Sequence, residues 1–402
     1  MDRDAEPLSG TRFLGVAVSR HVHDGGVVPG ETSDWDEAFY ETLGRAVEKF
    51  IERGVEPEDA VRRATLHFTD GLSTTIGPSI AESLREAAPE MLAEHYVLNR
   101  EFEDRLHERW GKALDLYYMV AVAAQEFGAT GYQAAVKAVG TDNEKALLEA
   151  LTGVHARACR TAFEVHSLLS SGFPKGAQAR ARTIYELAVI AIVLSRYGTE
   201  PGHEDLGVRF LAFSDLTTAL DARDFQKYAE RLGVEPFTDE EMQEFTTFRE
   251  ESLRLHPDID RRQGWASRLP GYKGGTFGEL ERMAELDYLR PFYTQASHEV
   301  HPYPKGVANN VTATPDGLVK LSGRTNAGLS YGARDALVSL LFTTIALRAL
   351  PGFDGIKSWL SVEAIARLVR EAGDAFDETE EAVAQQIEGS ASTDGPESAL
   401  DE

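Results

Sequence analysis

Apolar positions along this chain recur at threes and fours rather than in alternation, so the sequence predicts helices almost throughout. The helix at 176–197 organises the rest. Its run 187–194 is apolar on every side, so as a helix it must be wrapped by others. Ahead of it, Leu147, Leu151, Val154, Ala158, Ala162, Val165 and Leu169 predict an amphipathic helix over 143–171. The turn Ser171-Gly172-Phe173-Pro174 would fold these two into an antiparallel hairpin.

Upstream, helices are expected from Asp34 or Asp36 to Phe50, from residue 57, over 78–95, and over 99–127, with a break at Gly128-Ala129-Thr130-Gly131. Downstream they are expected over 203–232, 238–255 with Thr238 as cap, 277–286, 289–300, 333–350 and 362–387. A small hairpin is expected around Pro315-Asp316-Gly317. Between 256 and 276 the periodicity fails at Pro257, Gly264, Pro270, Gly271, Gly274 and Gly275. Loops of this length are usually functional or disordered. The fold class is therefore all-α: an antiparallel multi-helix body with one minor β-hairpin. Residues 1–140 form an arm and helical extension, 141–388 the core domain, and 389–402 a disordered acidic tail.

Charge sharpens this picture in two places. The formal net charge is −25, which disfavours a general nucleic-acid or anionic-membrane surface. Eleven of those charges come from acidic residues after position 370, where there is no Lys or Arg, while 151–200 holds six Lys/Arg against three Asp/Glu. A small anionic ligand on the central segment stays open. Cys159 is the single cysteine, so there is no internal disulfide and no Cys-based zinc site. The N-terminus lacks the basic start and apolar run of a signal peptide, and no apolar run is long enough to span a bilayer. The expectation is a cytoplasmic protein without a membrane partner, its oligomeric state open.

Candidate chemistry gathers at two helices. Arg182 and Glu186 lie four apart on one face at the mouth of the organising helix. Tyr293, Ser297 and His301 share a face of a later helix that Pro302 and Pro304 end, and His298 lies one step round from Ser297. These residues supply an imidazole, hydroxyls, a guanidinium and a carboxylate, which suit acid–base work or holding an anion. The competing reading is a satisfied polar network that pins two helices. His298-x-x-His301 has metal-ligand spacing but no third ligand, and His21-Val22-His23 sits in the arm, so no metal or cofactor is expected. The glycines around Lys273 lack the Gly-Lys-Ser/Thr order of a phosphate loop. Trp265, in the long loop, is either an anchor folding the loop down or a lid residue contacting a ligand.

The stretches Leu151-Thr-Gly-Val-His-Ala-Arg-Ala, Gly176-Ala-Gln-Ala-Arg-Ala-Arg-Thr-Ile-Tyr-Glu-Leu and Tyr293-Thr-Gln-Ala-Ser-His-Glu-Val-His-Pro resemble a bacterial family of unknown function, DUF5677, over about residues 145–350. In that family an Arg-x-x-x-Glu helix precedes Tyr-x-x-x-Ser-x-x-x-His, positions held here by Arg182, Glu186, Tyr293, Ser297 and His301. The resemblance implies a helical fold and no established activity. Helical HEPN ribonucleases carry Arg followed by four to six residues and His. Arg160…His166 fits, but so do Arg62…His67, Arg100…His107, Arg196…His203 and Arg249…His256, so the motif does not discriminate. The leading expectation is a ligand-binding or interaction and sensor protein with a buried Arg/Glu/Tyr/Ser/His cluster. The alternative is a metal-independent RNA-cleaving enzyme, with His301 as acid–base, Arg182 on the phosphate and Glu186 supporting them, and only there is RNA a partner.

Overall fold

The computed structural model describes residues 34–71, 74, 77–314 and 317–393. The expected arm, with His21 and His23, and the last residues of the tail lie outside them. The chain divides into two compact units, Met1–Glu101 and Phe102–Glu402. In the first, α1 (Asp34–Glu52) packs on α2 (Pro57–Gly71), with Ala60 and Ala64 buried.

Helix α3 (Gly77–Ala138) begins in the first unit and ends in the second. The two helices expected here, and the break between Gly128 and Gly131, are corrected to one continuous helix. The glycines are there for space, not for a turn. A Cβ on Gly131 would meet the Phe353 ring at 2.0 Å, and one on Gly128 the His155 ring at 2.7 Å. A helix tolerates a glycine at about 1 kcal/mol relative to alanine, a cost that close packing can offset.

The second unit is built on α4 (Asp142–Ser170) and α5 (Pro174–Tyr197), the expected hairpin. Thr141 caps α4 in a reciprocal capping box with Glu144. The turn needs Gly172, whose φ of +76° an L side chain rarely adopts and whose missing Cβ leaves room for the Phe102 ring. From Leu187 to Leu194 only Ile190 and Ile192 are not fully buried, so α5 is wrapped as its composition demands. Its most extensive neighbours are α11 (Leu329–Ala346) and α4. Small residues make the α5–α11 approach close: a Cβ on Gly332 would lie 2.9 Å from the Gln178 backbone nitrogen and 3.3 Å from the Ala177 Cβ. Trp110, Tyr117, Phe353 and Phe376 complete the same apolar core.

Around this centre lie α6 (Leu206–Leu232), α7 (Asp239–Leu255, capped by Thr238 as expected), α8 (Phe277–Ala284), α9 (Arg290–Val300) and α10 (Pro304–Ala308). Strands β1 (Val311–Thr314) and β2 (Gly317–Lys320) pair antiparallel with Val311 opposite Lys320. The last helix, α12 (Ile356–Thr393), packs on α11 and extends past the expected end at 387 into the segment read as tail. Glu380 of α12 accepts from the Gly328 and Ser330 backbone N–H groups, placing a carboxylate at the start of α11, where the helix dipole favours it. Among the described residues, no helix is long and apolar enough to cross a membrane.

The 256–276 loop is fastened rather than loose. Arg209, 1% exposed, donates to both oxygens of Asp258, to the Trp265 and Gly264 carbonyls and to Ser267 Oγ. Burial alone would raise the Asp258 carboxyl, but hydrogen bonds from Arg209, Ser267 and Arg268 override it and hold Asp258 well below the usual carboxylate range. Removing a buried partner strands the remaining groups, whereas an exposed one is readily replaced by water. Arg209→Met should therefore cost about 3–5 kcal/mol in chemical denaturation. Arg268→Ala, at a half-exposed side chain, should cost about 1 kcal/mol or less.

Candidate functional site

Arg182 leaves α5 where its apolar wrapping begins, and each of its three terminal nitrogens is engaged. Nε donates to Glu186 Oε1 at 3.0 Å, Nη2 to the Tyr293 hydroxyl at 2.8 Å, and Nη1 lies 3.3 Å from His301 Nε2. The Tyr293 hydroxyl in turn donates to Glu186 Oε1 at 3.2 Å. A guanidinium can only donate, so this geometry uses the Nε2 lone pair of His301. Burial, then the nearby Glu186, pushes the Tyr293 phenol up, and Arg182 opposes both.

Four of the expected five residues thus meet. Ser297 does not join them, because its hydroxyl back-bonds to the Tyr293 carbonyl of its own helix at 2.7 Å. His298 turns elsewhere, with Nδ1 buried and without a partner. Among the described residues, no group of three or more His, Cys, Asp or Glu is placed to hold a metal ion. The expectation of a buried cluster is corrected: the Arg182 side chain is 17% exposed, Glu186 is 36% exposed, and His301 is exposed outright. Helix α9 lies on the outside of α5, where only Ala296 of its residues is fully buried, so a network bridging the two sits at the rim. Trp265 is an anchor. It packs edge-on against Phe210 with its indole N–H on Gln263, 1% exposed, and no hydrogen bond or ring contact joins it to the Arg182 cluster.

A second network lies beneath the first. Glu281 of α8, fully buried, accepts from the Tyr185 hydroxyl at 2.9 Å and from Arg290. Burial pushes the Glu281 carboxyl up, with Tyr185 and Arg290 opposing, and burial together with Glu281 pushes the Tyr185 phenol up. Phe277 stacks on Tyr293 at 5.3 Å between ring centroids, joining the two layers.

Beside these networks opens a cavity of about 370 Å³, lined from α5 by Ala181, Arg182 and Tyr185, and from α9 by Phe292, Tyr293 and Ala296. Helix α11 contributes Ser330, Tyr331, Arg334, Asp335, Val338 and Ser339, and α12 contributes Asp377. Here is the residue that sequence reasoning missed. Arg182 is matched by Glu186, and Arg334 by Asp377, which also accepts from Ser330. Asp335 has neither a hydrogen bond nor an ion pair among the described residues, although desolvation raises its carboxyl to about 6 against the opposing charge of Arg334. Ser339, one turn on and facing the same cavity, is also without a hydrogen-bond partner among them.

A helical domain with a half-buried Arg/Glu/Tyr/His network beside a cavity of mixed apolar and charged lining is the class these observations define. Residues 148–318 match the model of a family described as a family of unknown function (DUF5677), so this segment carries that family's signature, as the residues around Arg182 and Tyr293 suggested. The match includes Arg182, Glu186, Tyr293, Ser297 and His301 and stops short of Asp335 and Ser339. No curated protein and no solved structure gives a significant match.

Two stability measurements follow. Arg182→Ala should cost about 1–3 kcal/mol, since it removes the ion partner of Glu186 and a charged donor from Tyr293, while His301→Ala at an exposed position should stay within about 0.5 kcal/mol of wild type. For Asp335, the folded-state value of about 6 lies above the ordinary 3.8, so the folded protein holds a proton that the unfolded chain releases. This group therefore makes stability fall as pH rises from about 4 to about 6. Asp335→Asn should flatten that slope and raise Tm at neutral pH, as thermal melts across pH would show.

Proposed function

We propose that this protein binds a small polar molecule in the cavity between α5, α9 and α11, and serves as a ligand-binding or sensing component. The observation that carries the reading is Asp335. Every other charged lining group has an opposite charge of its own, and an unpaired, partly desolvated carboxylate weakens the fold at neutral pH. A perturbed ionisable group in a cleft is a functional-site candidate for that reason. The size agrees, since ligand pockets run from about 300 to 1,000 Å³. In this reading Arg182 and Tyr293 offer edges to the ligand, positioned from behind by Glu186 and His301, which do not line the cavity themselves.

RNA cleavage draws less support. It would need Arg182 free to meet a phosphate and His301 free to move a proton, and each occupies the other. The cavity also offers no activated nucleophile, which is why binding is favoured over catalysis.

The test is a ligand-observed screen of small polar fragments of all charge types against wild type and Val338→Phe, which fills the cavity wall. Hits are expected on wild type and lost in the variant, with both proteins melting cooperatively. Equal hits on both would place binding elsewhere and overturn the reading. Incubation with total RNA should leave the RNA intact. Cleavage abolished in His301→Ala would instead establish the nuclease.

A further inference from the structure

We propose that the molecule this cavity takes is a small organic cation, a protonated amine held by Asp335 and Ser339 from α11 and covered by the rings of Phe292 and Tyr331. The inference rests on the cavity being a binding site and adds the charge and shape of its ligand.

Charge comes first. Counting Glu186 with Arg182 and Asp377 with Arg334, the two pairs cancel and Asp335 remains, so the site's uncompensated charge is negative. The local excess of basic residues over 151–200 suggested an anion, but Arg182, the basic residue of that stretch that lines the cavity, is already satisfied. An anion would meet an unpaired carboxylate, whereas an ammonium group would pair with it in surroundings less polar than water, where such a pair is stronger.

Position comes second. Asp335 and Ser339 are four apart on one face of α11, so a single ammonium group can donate to a carboxylate and a hydroxyl one helical turn apart.

The rings come third. Tyr293 already carries Arg182 and Arg290 over its face, and Tyr185 packs against both Phe277 and Tyr293. Phe292 and Tyr331 are different. They line the cavity, are 48% and 56% exposed, and have no ring or cation partner among the described residues. Exposed aromatic faces beside an unpaired carboxylate are what a desolvating cation recognises.

The experiment is calorimetric titration of the full chain with three probes of matched shape: phenethylamine, phenethyl alcohol and phenylacetate. The amine should bind best, and Asp335→Asn should weaken it by about tenfold, the scale of a charge-assisted hydrogen bond, while leaving the alcohol unchanged. Phe292→Ala should weaken the amine more than the alcohol. Asp335→Asn removes a destabilising charge, so loss of binding in it cannot be assigned to unfolding, and its melting temperature verifies this. If alcohol or phenylacetate binds as tightly as the amine and Asp335→Asn makes no difference, the cation assignment is overturned while the cavity remains a site. If none of the three binds to wild type, the cation assignment fails, and the broader fragment screen against Val338→Phe decides separately whether the cavity binds anything.

Discussion

Helix α5 has almost no side to give to water between Leu187 and Leu194, where only Ile190 and Ile192 fall short of full burial, and the second unit is arranged around that constraint. Burying it on all sides requires a partner on each, which α4 and α11 supply at the close range that alanines and Gly332 permit. Polar groups on α5 are left to the last turn, where Arg196 meets the Met283 carbonyl and Glu285, and to the N-terminal half, before the apolar run starts. Arg182 and Glu186 sit there, and α9 crosses there. The network and the cavity thus lie ahead of the apolar run of α5, where Ala181, Arg182 and Tyr185 line the gap.

Much of this was legible in the sequence. The period of three and four gave α4 and α5 within a residue or two at most ends, Thr238 marked the start of α7, and the spacing of Tyr293 and His301 placed both on the face that meets Arg182. Other features were hidden for identifiable reasons. Gly128 and Gly131 carry the same letters as a helix break, and only their neighbours across the core, His155 and Phe353, reveal that they make room. Ser297 has the right spacing for the network, yet a helical serine has its own carbonyl four residues back as a nearer acceptor. The long loop looked loose because its fastener, Arg209, lies about fifty residues upstream.

Asp335 escaped for a different reason. It stands just ahead of an apolar run that reads as core, beside Arg334, so it passes for half of a surface charge pair. The structure gives Arg334 to Asp377 instead. The visible hint was that Asp335 and Ser339 lie four apart, on one face, where the intervening Ala336, Leu337 and Val338 are apolar.

The dependence of α5 on α11 also bears on where this protein can be cut. The family signature ends at residue 318, before α11 begins at Leu329. A fragment trimmed to that signature would uncover the side of α5 that α11 packs on, at Ala177 and Gln178 among others, and would lack one wall of the cavity altogether. The piece of chain recognisable by its residues and the piece able to fold are different lengths, and expression boundaries, domain transplants and evolutionary comparisons of this segment have to follow the longer one.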